Sequence, residues 1–327
     1  MIIKLAPYVL ILVLLARCIQ VEPSKGENYL SQAEGDASLL SLSTAGADEQ
    51  IKQKYLSQQE QERRQTKLLE AEADYNADPD NQENIIWYGR RLAYLGRYEE
   101  AINVFSEGLR KHPRSHKLYR HRGHRLLTLK ELDQAIEDLS NAAFYATDAP
   151  HEVEPDGIPN ALNKPLTNVH WNIWYHLGLA YYMKGNYDKA ISSFRKCIQY
   201  SNNSDLEVKT SNWLYVTYRK IGNTDAADAL ISIIPSRMNL VGSDTRLYHD
   251  LIMLYRGFFT PEILIRRNTS NGELEANVGY GIGNWYLLEG QVESARNIFT
   301  RVLDGSQADS FGYIATELEL AALANQL

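Results

Sequence analysis

The side chains best suited to bind a charged ligand form a basic stretch from Arg110 to Arg125. Eleven of its sixteen residues are Lys, Arg or His, and it holds half of the eight histidines of a chain whose net charge is −7. Lys117, Arg120 and His124 are three and four residues apart, a spacing that places them on one face of a helix. Such a face suits an anionic ligand. The alternative is that the run is an ordinary solvated charged surface.

Arg122, within the same stretch, directly precedes Gly123 in a register that points partly into the core. A buried guanidinium without a partner is costly, so the register predicts a buried ion pair. Direct contact with a ligand is the alternative.

Signatures of catalysis are missing from the sequence. It has no glycine-rich phosphate loop, no Gly-x-Ser-x-Gly and no His-Glu-x-x-His. His151 and Glu154 form a His-x-x-Glu pair without a second histidine at helical spacing, which favours a solvated acidic loop over a metal site. Cys197 is predicted to be a buried structural thiol. We therefore expect no enzyme activity, no cofactor and no metal ion.

A turn motif that recurs along the chain positions these side chains. Its copies begin at Gly96, Lys130, Gly185, Gly222 and Gly290. The first two copies are 34 residues apart, the third and fourth 37, and the last two 68, which is twice 34. A helical pair of this length cannot bury its apolar face alone, so the period predicts stacked units that share one core.

Other positions keep the same phase. Seven residues before the turn the sequence has a small residue in four copies, Gly89, Gly123, Gly178 and Gly283, and Tyr215 in the remaining one. Nine residues after it the residue is large and apolar: Phe105, Leu139, Phe194, Ile231 and Phe299. This pattern resembles the tetratricopeptide repeat, a helix-turn-helix of 34 residues. The resemblance implies an all-α, right-handed superhelical solenoid of about six units.

The resemblance also implies where a ligand would bind, because in this family the first helix of each unit lines a concave groove. The candidate groove residues are Arg90, Tyr94, Lys117, Arg120, His124, Tyr175, Tyr182, Asn212 and Arg219, with Tyr280 and Asn284 at equivalent positions. Family members that bind chaperone tails carry a Lys and Asn pair on such a helix. Ile86 and Arg90 stand there in the first unit, so that specific function is not expected.

Cations and tyrosines in a groove suit an acidic peptide, a terminal carboxylate or an anionic glycan. The first hypothesis is a non-enzymatic scaffold that binds a peptide or protein partner of acidic character. The alternative is an accessory protein of the cell envelope that binds an acidic or sulfated polysaccharide. The acidic net charge gives no attraction to nucleic acid.

The first 20 residues differ from the rest of the chain. Lys4 precedes an apolar run from Leu5 to Ala16, which is short for a membrane span of about 20 residues and typical of an export signal. Leu15 to Cys18 resembles a bacterial lipoprotein cleavage box, although Arg17 stands where a small residue is usual, so lipidation of Cys18 and ordinary cleavage both remain open. The sequence predicts an exported protein of the periplasm or cell envelope, touching a membrane only through this segment.

The predicted organisation is a leader at 1–20, a flexible linker at 21–50 that is rich in Ser, Gly, Glu and Asp, and a repeat solenoid at 51–327. A proline-rich insertion at 146–170 separates the second and third units. Its carboxylates are expected to lie near the basic helix and partly neutralise it. A final helix, Phe311 to Ala324, is predicted to cap the array.

Overall fold

The computed structural model describes residues 57–157, 160 and 162–324, apart from the side chain of Ser243. The predicted leader with Cys18 and the predicted linker lie outside these residues. The helices are α1 (Gln58–Ala77), α2 (Gln82–Tyr94), α3 (Tyr98–Lys111), α4 (His116–Thr128), α5 (Leu132–Tyr145), α6 (Val169–Met183), α7 (Tyr187–Gln199), α8 (Ser204–Lys220), α9 (Thr224–Ser232), α10 (Ser243–Tyr255), α11 (Pro261–Arg267), α12 (Ala276–Leu288), α13 (Val292–Leu303) and α14 (Phe311–Ala324). Strands β1 (Thr269–Ser270) and β2 (Glu273–Leu274) form one short antiparallel hairpin.

The described chain is a series of six antiparallel helical pairs, from α2–α3 to α12–α13, with α1 before them and α14 after them. Nearly every helix packs against the next along the chain, with the exception that α10 packs against α8 rather than α9, and one core continues through most of the pairs. This arrangement confirms the all-α repeat architecture predicted from the spacing. Within the described part of the chain, no helix combines the length and apolar character needed to cross a membrane.

The recurring turn reverses the chain inside five of the six pairs. Gly96, Gly185, Gly222 and Gly290 all lie in the left-handed region, with φ between 73° and 77°. Lys130 occupies the same position in the second pair with φ of 63°. Glycine adopts this conformation without steric cost, whereas a residue with a Cβ is strained there by about 1–2 kcal/mol.

The small residues before each turn let the two helices of a pair approach closely. An ideal Cβ would stand 2.4 Å from a ring carbon of Phe105 if built on Gly89, 2.5 Å from Phe194 if built on Gly178, and 2.2 Å from Phe299 if built on Gly283. The three rings are buried. The repeated glycine and the repeated aromatic residue are therefore two halves of one contact.

Two predictions about buried polar groups are confirmed. Arg122 donates from Nε and Nη2 to the two carboxylate oxygens of Asp138, at 2.7 Å each, and from Nη1 to Ser106 Oγ at 3.0 Å. Asp138 is almost fully buried, so this is the expected internal ion pair. Cys197 is completely buried, and burial raises the pKa of its thiol.

Candidate functional site

The basic side chains of α2 and α4 converge on one surface, and the segment 151–157 of the proline-rich insertion (the insert) lies on that surface. Arg90 donates from Nη2 to the carbonyl oxygen of Pro155 at 2.8 Å, and Arg91 donates from Nη1 to the carbonyl oxygen of Gly157 at 2.9 Å. Helix α2 thus binds the backbone of an extended segment. The basic face consists of Arg90, Arg91, Lys117 and Arg120.

Arg91 belongs to the basic face although it was not among the predicted groove residues. Consecutive residues on a helix point about 100° apart, so helical spacing alone places only Arg90 on the groove side. Trp87 explains why both reach the insert: the guanidinium carbons of Arg90 and Arg91 lie 4.3 Å and 4.9 Å from the centre of its ring. A cation over an indole face is stabilised by the ring quadrupole. In the sequence, two adjacent arginines one helical turn after a tryptophan could have indicated that both contact its ring.

The carboxylates of the insert pair with the cations of α4. Lys117 lies 2.7 Å from Glu152 and 3.2 Å from Glu83 of α2. Its hydrogen bond lowers the pKa of the Glu152 carboxyl. Arg120 lies 3.0 Å from Glu154, and both of these side chains are more than 90% buried. The expectation that the insert neutralises part of the basic helix is therefore confirmed.

Glu154 is the carboxylate held most completely. Asn172 of α6 donates from Nδ2 to its Oε2 at 2.9 Å, while Arg120 approaches Oε1. The Glu154 amide donates to the carbonyl oxygen of Thr167 at 2.9 Å. The Val169 amide donates to the carbonyl oxygen of Glu152 at 3.0 Å, so two parts of the insert run side by side. The segment 151–157 is consequently extended rather than helical, as its prolines predicted.

Further positive charge lies next to Gly157, the last residue of the segment 151–157. A cleft next to Gly157 is lined by basic residues of α1 and α2 together with one tyrosine: Arg63, Arg64, Lys67, Arg91 and Tyr94. Arg63 and Arg64 both pair with Glu60, at 2.7 Å and 2.8 Å, which leaves the cleft only partly neutralised. The predicted site residue Tyr94 accepts a hydrogen bond at its hydroxyl from Arg90 Nε at 3.2 Å. The cationic track thus continues across three helices.

His124 lies next to the basic face but in an enclosed aromatic cluster. Its ring centre is 4.1 Å from that of His176 and 5.6 Å from that of Phe311. Burial first, and the nearby charge of Arg125 second, lowers the pKa of His124 well below its usual range. Burial and neighbouring arginines do the same to the pKa of His121 and of His176. The histidines therefore stay neutral at pH 7, and the free positive charge of the region is carried by arginine and lysine.

The tyrosines and asparagine predicted to line the rest of the groove are core residues. Tyr175, Tyr182 and Asn212 are all less than 6% exposed, which differs from the expected open surface. Tyr175 stacks on Trp171 with ring centres 4.4 Å apart, and Tyr182 forms a hydrogen bond with Tyr280 through their hydroxyl groups. Asn284, at an equivalent position, is fully buried as well. Arg219 is the more accessible member of this group, and it donates to Tyr215 and Glu289.

The last helix accounts for much of this burial. Helix α14 has the predicted bounds, but it contacts the early pairs as well as the last one. Tyr182 and Tyr280 line the same small cleft as Ala315 and Leu318 of α14. Glu317 accepts a hydrogen bond from Lys130 of the second pair at 2.9 Å. The C-terminal segment therefore occupies much of the space that an open solenoid would leave for a ligand.

Among the described residues, no group of three or more His, Cys, Asp or Glu side chains is arranged to hold a metal ion. The remaining candidate is the basic face, whose arrangement can bind carboxylates and backbone carbonyl groups of an extended chain.

Comparison with known protein families assigns the repeats. Two family models, each described as tetratricopeptide repeat, match residues 89–149 and residues 171–203. These segments are tetratricopeptide repeats. They contain the end of α2, all of α3, α4 and α5, and, on the other side of the insert, most of α6 and all of α7.

Individual proteins are similar at low identity. The BBSome complex member BBS4 of Bos taurus is 24% identical over 153 residues, which cover 45% of this chain and a quarter of that protein. MamA from Desulfovibrio magneticus RS-1 is 20% identical, with a TM-score of 0.41, over 58% of this chain and 94% of its own. YrrB, described as a TPR protein with an unusual peptide-binding site, is 12% identical, with a TM-score of 0.41, over 79% of this chain and 98% of its own.

Proposed function

We propose that this protein is a non-enzymatic scaffold whose basic face binds an extended, acidic segment of a protein partner. The tetratricopeptide repeats support the general function, because such repeats are scaffolds for protein interaction. The observation that carries the specific proposal is the insert itself, an extended acidic segment bound through two carboxylates and two backbone carbonyl groups.

A peptide suits these contacts better than a glycan. Arg90 and Arg91 donate to backbone carbonyl oxygens, which recur along every extended peptide and are lacking in most sugars. The two carboxylates bound by Lys117 and Arg120 are two residues apart, and alternate residues of an extended chain lie on the same side. The preferred ligand therefore has acidic residues at positions i and i+2.

The test uses the insert sequence as a ligand supplied in trans. The probe is a peptide with the sequence of residues 150–157, and the protein is the full chain with Glu152→Gln and Glu154→Gln, which weakens the competing internal contacts. Four hydrogen bonds at about 1 kcal/mol each correspond to a Kd on the order of 1 mM, within reach of NMR titration or calorimetry. Higher salt is expected to weaken binding because the attraction is partly Coulombic.

Controls separate this site from general charge. In the same background, Lys117→Gln and Arg90→Gln are expected to weaken binding, whereas Arg110→Gln with Lys111→Gln should leave it unchanged, because those two residues lie at the exposed end of α3. Equal loss in both sets would show a diffuse charged surface and refute the site. Binding of a sulfated oligosaccharide with no binding of the peptide would favour the polysaccharide alternative.

Export by the N-terminal segment is part of the same proposal. It is supported by Lys4 and the apolar run that follows it in the sequence. Residues 1–50 fused to a reporter that is active only outside the cytoplasm should give an active reporter, and an inactive cytosolic fusion would refute export. Cys18→Ser should move the protein from the membrane fraction to the soluble fraction only if the cysteine is lipidated.

A further inference from the structure

The insert is an addition to the repeat pattern that the helical pairs do not need for their connection. The turns that begin at Lys130 and Gly185 are 55 residues apart, whereas the first two turns are 34 apart. Between the first and second pairs the chain passes from Lys111 to His116 with four intervening residues. About twenty residues between α5 and α6 are therefore free to serve another purpose.

The insert is held on the basic face mainly by polar contacts. Its apolar side chains contribute little to the core: Val153 is 61% exposed and Leu162 is 64% exposed. The segment 151–157 contacts the basic face through the carboxylates of Glu152 and Glu154 and two carbonyl groups. At its start, the ring of His151 also lies against His170 and Tyr200. The carboxylate and carbonyl anchors on the basic face can be replaced by the same groups of another extended acidic chain. Because Val153 is already exposed, displacement of the segment 151–157 loses little buried apolar surface at that side chain, and the hydrophobic cost there is small.

The insert also leaves the basic face incompletely satisfied. Arg120 is 7% exposed and contacts Glu154 through Nη2, while its Nη1 faces His121 Nδ1 at 2.8 Å. Its Nε is buried without a hydrogen-bond partner in the described residues. An unpartnered buried donor is unfavourable, and a carboxylate that reaches two guanidinium nitrogens would satisfy it. A partner with more freedom than a tethered loop can make that bidentate contact.

From these observations we infer that the segment 151–157 is an intramolecular competitor that closes the basic face, and that a partner carrying a Glu-x-Glu sequence binds by displacing it. The inference rests on the proposed function and adds its regulation. In the free protein the pairs of Lys117 with Glu152 and of Arg120 with Glu154 keep the site closed. Unrelated anions are thereby excluded, since a single carboxylate or phosphate cannot replace two carboxylates and two carbonyl groups at once.

How strongly the segment 151–157 competes with a free peptide depends on its attachment to the same chain. A segment attached to the same chain acts at an effective concentration of a few millimolar, and the peptide is expected to bind with a Kd on the order of 1 mM, so their ratio is about four. The closed state therefore exceeds the open state by a small factor, and the apparent Kd rises by one plus that factor. Peptide binding to the parent protein is expected to be about fivefold weaker than binding to the variant with Glu152→Gln and Glu154→Gln.

The experiment compares Kd values for the 150–157 peptide among three full-length proteins: the parent, the double glutamine variant, and a control with Asp148→Asn. Asp148 is an exposed carboxylate of the same insert, so its replacement changes the charge without opening the site. The expected result is about fivefold tighter binding to the double variant and unchanged binding to the control. Hydrogen exchange of the Glu154 amide, which is bonded to Thr167 in the closed state, should become faster when peptide is added to the parent.

The outcomes separate this inference from the proposed function. Equal Kd values for the parent and the double variant, with unchanged exchange at Glu154, would refute displacement and leave peptide binding intact. Lack of binding to all three proteins would refute the proposed function itself. If Glu154→Gln prevents folding, as judged by circular dichroism, Glu152→Gln alone serves instead. That carboxylate is 43% exposed, and its change should tighten binding about twofold.

Discussion

Gly178→Leu tests the close helix contact on which the repeat architecture depends. Any Cβ at this position would lie 2.5 Å from Phe194 Cε1 and 2.6 Å from Cδ1, whereas carbon atoms in contact are about 3.5–4.0 Å apart. Phe194 is fully buried, so its ring cannot turn out to solvent and α6 and α7 must separate by about 1 Å. Overpacking of this kind costs about 1–3 kcal/mol for small additions and more for a leucine, against a gain in helix propensity of about 1 kcal/mol.

We therefore expect Gly178→Leu to lower the free energy of unfolding by about 2 kcal/mol or more, measured by urea unfolding followed by circular dichroism. Gly185→Asn is the matched control, because nothing lies within 4 Å of a Cβ there and asparagine tolerates a positive φ. A second check is Gly178→Ala combined with Phe194→Leu, whose joint cost should be smaller than the sum of the two single costs. Equal unfolding midpoints for Gly178→Leu and the parent would refute the packing assigned to this glycine.

Three further predictions concern strain, protonation and reactivity. Lys130→Gly should be about 1 kcal/mol more stable than Lys130→Ala in urea unfolding, because both variants lose the ion pair with Glu317 and only glycine relieves the positive φ. Equal stability of the two variants would contradict this strain. The pKa values of His121, His124 and His176 are lowered by burial, so the unfolded chain binds protons that the folded chain does not. Stability should then fall as the pH drops through about 6.5, by up to about 1.4 kcal/mol per pH unit for each histidine, and equal unfolding free energies at pH 7.5 and 5.5 would contradict neutral buried rings. Cys197 should resist iodoacetamide in the folded protein, because burial raises its pKa, and rapid labelling detected by peptide mass spectrometry would contradict its burial.

Local regularities allowed the sequence to predict the helical pairs. The glycine of the turn and the glycine opposite Phe194 recur at fixed positions because each unit solves the same packing problem. The ion pair of Arg122 could be anticipated for a related reason, since its register points inward and a buried guanidinium needs a partner. The contact between the acidic insert and the basic helix followed from opposite charges in adjacent segments.

The burial of the predicted groove residues could not be predicted from local sequence patterns. It depends on how six pairs curve together, which brings Asp309 to within 3.3 Å of the Tyr98 hydroxyl, more than 200 residues away in the chain. No local pattern encodes that contact, so Tyr182 was assigned to a surface that α12 and α14 cover. Small differences in each repeat interface accumulate along a solenoid and decide whether the groove stays open.

The central claim is that a partner's carboxylate takes the place of Glu152 beside Lys117. A double-mutant cycle measures this contact directly in the background with Glu152→Gln and Glu154→Gln. It combines Lys117→Gln in the protein with replacement of the first glutamate of the 150–157 peptide by glutamine. Because Lys117 is partly buried, we expect a coupling free energy of about 0.5–1 kcal/mol, a factor of about two to five in Kd. Strictly additive effects of the two changes would show that the carboxylate does not bind at Lys117, and would contradict the account.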